Sequence, residues 1–216
     1  MRAALPVTPT VFFIFMGFGM SAALAGMPGP AAVAMTMFVY AAPAQYAMLD
    51  MAASSPAGVW RLALVGILSN LRFFVMGLWF AQAFKGVSTR ALVFFCHFVA
   101  ATPFLLVYIQ SRKKAPGDLF EFYKGVSVTL PIPTLLGVTT GLAAGWMMPE
   151  PMKFGAMLFM PFYFCLLLVN ELKGWREAVA IALGAVTVPI VEGQAPGWGL
   201  LIGPAITGAV VTSAGR

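Results

Sequence analysis

The residues best placed to do chemistry stand in one apolar stretch, Ser69-Asn-Leu-Arg-Phe-Phe74. A charge at the centre of a bilayer costs at least about 2.5–3.5 kcal/mol, so a residue such as Arg72 usually faces the interior of a helix bundle or a wet cavity. Asn70 stands about 200° from Arg72 around a helix, so the two side chains reach one place only if the helix unwinds. We predict that they bind a substrate. The alternatives are that Arg72 reaches the membrane surface, or that one of the two residues braces a neighbouring helix while the other lines a path.

A proline interrupts a second apolar stretch, Val39-Tyr-Ala-Ala-Pro-Ala-Gln-Tyr46. Pro43 has no N–H to give to the Val39 carbonyl, which is left free for an ammonium group or a cation. The residues from Pro43 onward then begin a new helix, whose positive dipole end suits a carboxylate. Gln45 offers a donor and an acceptor beside the break. The alternative is a proline kink compensated by neighbouring helices.

Two more features belong with this group. Pro131 and Pro133 predict a second interrupted helix, with the carbonyls of Ser127 and Thr129 left free. His97, the single histidine, lies in an apolar run and is a possible proton relay, or else a packed side chain hydrogen-bonded to one carbonyl. Interrupted helices without a catalytic group favour a transporter over a structural membrane protein.

Catalytic, metal and cofactor sites are not expected. No HExxH, GxSxG, P-loop or GxGxxG motif occurs in a suitable context, and His97 has no second imidazole beside it in the sequence. Cys96 and Cys165 lie inside apolar runs, which indicates small buried hydrophobic residues rather than ligands or a disulfide. The sequence therefore predicts a protein that is not an enzyme, with no metal and no cofactor.

The composition requires a membrane to hold these residues. The chain has 216 residues, of which 61% are hydrophobic and 9% are charged, against about 25% charged in soluble domains. This excludes a water-soluble globule, a disordered chain, a coiled coil and a disulfide scaffold. The net charge of +6 comes from basic residues spread along the chain, so no nucleic-acid partner is expected. The lipid bilayer is the partner that the composition demands.

We predict an all-α, polytopic membrane helix bundle of about eight transmembrane helices that forms a single domain over residues 1–216. The last two spans are short, so seven also fits. A weak repeat at an offset of 121 residues pairs the turn at Met27–Pro30 with that at Met148–Pro151, which favours two four-helix halves, 1–110 and 120–216. The expected spans are Val11–Ala25, Ala31–Met51, a stretch from Pro56 to Phe84, Thr89–Ile109, Gly125–Met147, Met152–Val169, Trp175–Val191 and Trp198–Thr212.

The basic residues orient this bundle. With the N-terminus in the cytoplasm and eight spans, nine Lys or Arg fall on the cytoplasmic side and three on the outer side. Cytoplasmic loops carry the excess of Lys and Arg in membrane proteins. We therefore predict a cytoplasmic N-terminus and an even number of spans.

The sequence resembles the AzlC family of branched-chain amino acid permeases. Members tend to show S-x-x-x-F-A-G-A-A-Q in the second span, which corresponds here to Thr36–Gln45. They also tend to show N-L-R in the third span, matched by Asn70 to Arg72, and a Gly-rich fifth span that ends in a proline turn, matched by Gly137 to Pro151. The resemblance implies an inner-membrane protein that exports or moves amino acids with a small companion membrane subunit of the AzlD type.

Three departures from the family pattern leave the solute and the driving ion open. The family's T-D-E motif falls near Ala100-Ala101-Thr102, where this chain has no carboxylate. A family aspartate likewise falls near Lys153-Phe154, and Pro43 stands where glycine or alanine is usual. The leading hypothesis is an exporter of small or branched-chain amino acids. Its substrate carboxylate would meet Arg72 or the helix start at Pro43, with Gln45 and Asn70 orienting it. The alternative is a non-transporting scaffold or assembly subunit.

Overall fold

The computed structural model of this chain describes residues 5–54, 58–113, 118–149, 174–194 and 198–213, together with positions 151, 162, 165, 169 and 172. The regular elements in this part of the chain are helices, as the sequence predicts. After a 3₁₀ turn at Leu5–Val7 they are α1 (Thr8–Leu24), α2 (Gly29–Val39), α3 (Ala42–Ser54), α4 (Val59–Ala83), α5 (Thr89–Cys96), α6 (Ala101–Arg112), α7 (Leu119–Thr129), α8 (Pro131–Met147), α9 (Trp175–Gln194) and α10 (Gly199–Ser213).

A seam of glycines joins α1 to α8, the most extensive helix pair in the described part of the chain. Gly137, Gly141 and Gly145 recur every four residues on one buried face of α8. A β-carbon at Gly137 would overlap the Phe12 carbonyl oxygen, and one at Gly141 would overlap that of Met16. The missing side chains let the two backbones touch, as small residues do in membrane helix pairs. α2 packs against both helices of this pair, and α3 packs against α1.

The predicted break at Pro43 is present. α2 ends at Val39, and Tyr40 takes the left-handed conformation with φ 48° and ψ 33°. Tyr40 is the one non-glycine residue with positive φ among those described. Such a conformation is uncommon for a bulky side chain, so the surrounding packing has to hold it. α3 then begins at Ala42, with Pro43 in its first turn, where a missing N–H does no harm.

A second break, absent from our prediction, divides the expected span Thr89–Ile109. α5 ends at Cys96, Ala100 is extended with φ −145° and ψ 168°, and α6 begins at Ala101. Pro103 lies in the first turn of α6, as Pro43 does in α3. A proline in the first turn fits a helix that starts there. Two neighbouring elements are therefore interrupted in the same way.

The interruption predicted at Pro131 and Pro133 is wrong as a break. Only Leu130 separates α7 from α8, and its φ of −72° and ψ of −30° remain right-handed helical. Residues Leu119–Met147 consequently form one apolar helix of 29 residues. Pro131 is the first residue of α8, where it displaces no N–H that the helix needs.

Membrane-spanning helices are present, and their predicted number stays a prediction. In the described ranges, three helices are long and apolar enough to cross a bilayer: Leu5–Leu24, Leu119–Met147 and Trp175–Gln194. A fourth is counted if the pair Val59–Leu71 and Phe73–Ala83, bent by 47°, is one span. The expected sixth span, Met152–Val169, falls mostly outside the described residues, and nothing tests the two halves.

Candidate functional site

The two breaks lie against each other, and Tyr40 is at their centre. Its ring centroid is 6.2 Å from that of His97 and 6.0 Å from that of Phe98, both in the α5–α6 break. A hydrogen bond of 2.7 Å joins His97 Nε2 to the Met37 carbonyl oxygen in the last turn of α2. Because a carbonyl only accepts, Nε2 carries the hydrogen. His97 thus links the two breaks through one helix carbonyl, as the second of the two sequence hypotheses expects.

The starts of α3 and α6 face a common cavity of about 260 Å³, named here the helix-start cavity. α3 contributes Ala42 and Pro43 to its wall, and α6 contributes Ala101 and Thr102. The first N–H groups of a helix have no partner within it, and each helix start carries a partial charge of about +0.5. No side chain caps the start of α6 in the described structure. The cavity therefore offers N–H donors and a positive potential, which suit a carboxylate.

Three of the predicted residues, Val39, Asn70 and His97, line a second cavity of about 350 Å³, named the Asn70 cavity. Asn70 Oδ1 is buried and makes no hydrogen bond to a described residue. Phe73 lines both this cavity and the helix-start cavity, so the two adjoin. The structure thus brings together residues that lie on three separate helical segments.

A third cavity, of about 610 Å³, is largely apolar and is named the aromatic cavity. Its wall comes from the last turns of α2 and α5 and from the junction of α7 with α8. Ser127 is 1% exposed on this wall, and its Oγ makes no hydrogen bond to a described residue. Other lining residues include Met37, Phe38, Phe94, Phe95, Phe98, Val128 and Leu135. The volume falls in the range of about 300–1,000 Å³ found for small-molecule sites.

Gln45 lies behind the break rather than in a cavity wall. Its side chain is fully buried, and Nε2 donates to Thr36 Oγ1 over 2.9 Å. Thr36 in turn donates to the Ala32 carbonyl over 2.9 Å. The Gln45 Oε1 atom is buried and has no hydrogen-bond partner among the described residues. The amide therefore joins α3 to α2 across the break through Nε2, while Oε1 remains an acceptor without a hydrogen bond to the described residues.

The positions of Arg72 and Pro43 complete the comparison with the sequence. Pro43 lines the helix-start cavity, apart from Val39 in the Asn70 cavity. Arg72 lies in α4 where that helix bends, between the segments Val59–Leu71 and Phe73–Ala83. The prediction for its side chain lies outside what the structure describes. In the described residues, no three His, Cys, Asp or Glu side chains come together to hold a metal ion.

Sequence reasoning missed the residues that join the cavities. Tyr40 and Thr134 line both the helix-start cavity and the aromatic cavity, and neither was singled out. The α5–α6 break was also missed, although Pro103 in the middle of an expected span was a usable signal. No local pattern marks Tyr40, because its role comes from tertiary packing.

Comparison with known proteins adds one finding. The family model described as "AzlC protein" matches residues 6–148, which include both breaks and all three cavities. No curated protein and no solved structure gives a significant match to the chain. The AzlC family is associated with branched-chain amino acid transport, generally works with small membrane subunits and is not an enzyme family. Because the match covers more than half of this apolar, helical chain, the protein is a membrane protein of the AzlC family.

Proposed function

We propose that this protein is a secondary transporter that exports small or branched-chain amino acids. It works in the inner membrane with a small AzlD-type subunit, and its N-terminus is cytoplasmic. The observation that carries the proposal is the pair of interrupted helices whose starts share one cavity. Transporters use such discontinuous helices to bind charged substrates near the middle of the bilayer. Family membership supports the substrate class.

The substrate carboxylate has two candidate positions in this proposal. One is the helix start at Pro43, and the other is the Arg72 guanidinium, which is built to pair with a carboxylate through two parallel hydrogen bonds. Asn70 Oδ1, in a cavity wall, and Gln45 Oε1, behind the break, are candidates for orienting the substrate. The Val39 carbonyl, which Pro43 cannot satisfy, is one candidate acceptor for the ammonium group. His97 is the candidate proton relay, because its single hydrogen bond to Met37 leaves Nδ1 available.

A flux assay tests the proposal. The chain and its small partner are reconstituted together in liposomes, and uptake and efflux of labelled valine, leucine and methionine are followed. We expect flux above that of empty liposomes for at least one of the three. Absence of flux for all three in correctly inserted protein would contradict amino-acid transport and leave the scaffold hypothesis.

The substitution Arg72→Gln tests the role of the cation that the sequence places in the middle of a span. We expect about tenfold lower flux, because a hydrogen bond to a charged group contributes about 1.5–3 kcal/mol. Arg61→Gln is the matched control, since Arg61 is exposed near the start of α4. Wild-type flux in the Arg72 variant, at equal amounts of inserted protein, would remove Arg72 from the mechanism.

A further inference from the structure

The ends of the interrupted helices point to a specific orientation of the substrate, which rests on the proposed function and deepens it. A broken helix has two inner ends of opposite partial charge. Here the two starts, of α3 and α6, line the helix-start cavity. The two last turns, of α2 and α5, line the aromatic cavity. Two breaks therefore give one positive and one negative region side by side.

The negative region contains a buried hydroxyl group, that of Ser127, beside the Tyr123 hydroxyl. Ser127 Oγ is 1% exposed, lines the aromatic cavity and makes no hydrogen bond to a described residue. Buried polar groups in folded proteins nearly always have a partner. Two buried threonine hydroxyls in this wall already donate to helix carbonyls, Thr36 to that of Ala32 and Thr134 to that of Leu130. Because the Tyr123 hydroxyl donates to the Phe95 carbonyl, it is not a donor to Ser127. Ser127 Oγ therefore remains an acceptor in an apolar cavity flanked by two negative helix ends, which suits an ammonium group.

The two regions adjoin closely enough for one small molecule. Tyr40 and Thr134 belong to the walls of both cavities, so the two adjoin at these residues. An α-amino acid carries its ammonium and its carboxylate on the same carbon atom. We infer that the two breaks bind this head group between them. The carboxylate lies at the starts of α3 and α6, the ammonium donates to Ser127 Oγ, and the side chain occupies the apolar remainder of the aromatic cavity.

This arrangement requires both charged groups of the amino acid for binding. A competition experiment on labelled leucine flux separates the two charged groups. Unlabelled leucine competes with 4-methylpentanoate, which lacks the ammonium, and with 3-methylbutylamine, which lacks the carboxylate. In the wild type we expect both analogues to compete at least about tenfold more weakly than leucine, because each forfeits a charge-assisted hydrogen bond.

Ser127→Ala gives the decisive measurement. We expect the half-inhibitory concentration of leucine to rise about tenfold while that of 4-methylpentanoate stays unchanged. Ser127→Thr keeps the hydroxyl and restores leucine binding. Ser111→Ala is the control for the same chemical change, since the exposed Ser111 hydroxyl bonds only locally to the Tyr108 carbonyl at the end of α6. Equal melting temperatures establish that the variants are folded.

The outcomes distinguish failure of the proposed substrate orientation from failure of the proposed amino-acid transport. If wild-type protein moves no leucine, valine or methionine, the transport proposal fails and the inference fails with it. If leucine is transported but Ser127→Ala shifts leucine and 4-methylpentanoate equally, or shifts neither, the orientation is wrong while transport stands. Competition by 3-methylbutylamine as strong as that by leucine would likewise overturn the carboxylate position.

Discussion

Gly141→Ala is expected to prevent this protein from folding into a stable bundle. The new β-carbon would overlap the Met16 carbonyl oxygen of α1, which is backbone and cannot turn aside. Relief requires α1 and α8 to separate along the whole seam, where Gly137 and Gly145 are also in close contact with α1. Overpacking costs about 1–3 kcal/mol in soluble cores, and more where nothing flexible can yield. We expect a large loss of monodisperse protein in gel filtration and a lower melting temperature.

Gly208→Ala is the matched control for that prediction. Gly208 lies inside α10, and a β-carbon there has nothing within 4 Å. Alanine is preferred over glycine in a helix interior by about 1 kcal/mol, so this variant should be as stable as the wild type or slightly more so. A Gly141→Ala protein that elutes and melts like the Gly208→Ala protein would contradict the close packing of α1 on α8.

The glycine seam illustrates how far the sequence alone reaches. The spacing of Gly137, Gly141 and Gly145 predicts a close-packing face on α8, and the structure confirms that face. The pattern leaves open whether the face packs inside this chain or against a partner, because any smooth helix satisfies it. The choice of α1 depends on contacts between residues more than a hundred positions apart, which no local pattern records.

The interrupted helices show the same division. A proline identifies where a helix lacks one backbone hydrogen bond. The missing N–H is the same at a break, at a kink and at an ordinary helix start, so the sequence does not distinguish them. Pro43 stands at a real break, whereas Pro131 begins a helix that continues α7 with one intervening residue. The first break depends on the left-handed conformation of Tyr40. The intrinsic backbone preference of tyrosine disfavours this conformation, so packing has to impose it.

The sequence pointed to residues that share a cavity, and their role in substrate binding stays a prediction. Val39, Asn70 and His97 were chosen for separate local reasons, and the structure places all three around one cavity. The sequence singled out Ser127 only for its backbone carbonyl. Its hydroxyl became a candidate contact because Ser127 lines the aromatic cavity. The packing of separate helices decides which polar groups line the same cavity. A single sequence therefore identifies candidate residues but not the distances between them.

Gln45→Leu is expected to leave the fold intact and remove most of the transport. The substitution roughly keeps the side-chain volume and eliminates a buried acceptor, Oε1, that has no partner among the described residues. The variant loses the hydrogen bond from Nε2 to Thr36 Oγ1, but removal of the unsatisfied Oε1 offsets that loss, so the melting temperature should change little. If Oε1 orients the substrate at the break, its loss costs about 1.5–3 kcal/mol, or roughly ten- to a hundredfold in flux.

Two further variants separate substrate contact from the attachment of α3 to α2. Thr36→Val removes the hydroxyl that accepts from Gln45 Nε2 but leaves Oε1 in place, so it should lower the melting temperature and change flux less than Gln45→Leu does. Gln82→Leu, at an exposed position on α4, controls for the same chemical change. Flux and melting temperature are measured for all three variants in liposomes and detergent. Wild-type flux in Gln45→Leu would mean that the amide only joins the two helices. The acceptor for the substrate would then be Asn70 Oδ1, which is also a buried amide oxygen without a hydrogen-bond partner among the described residues.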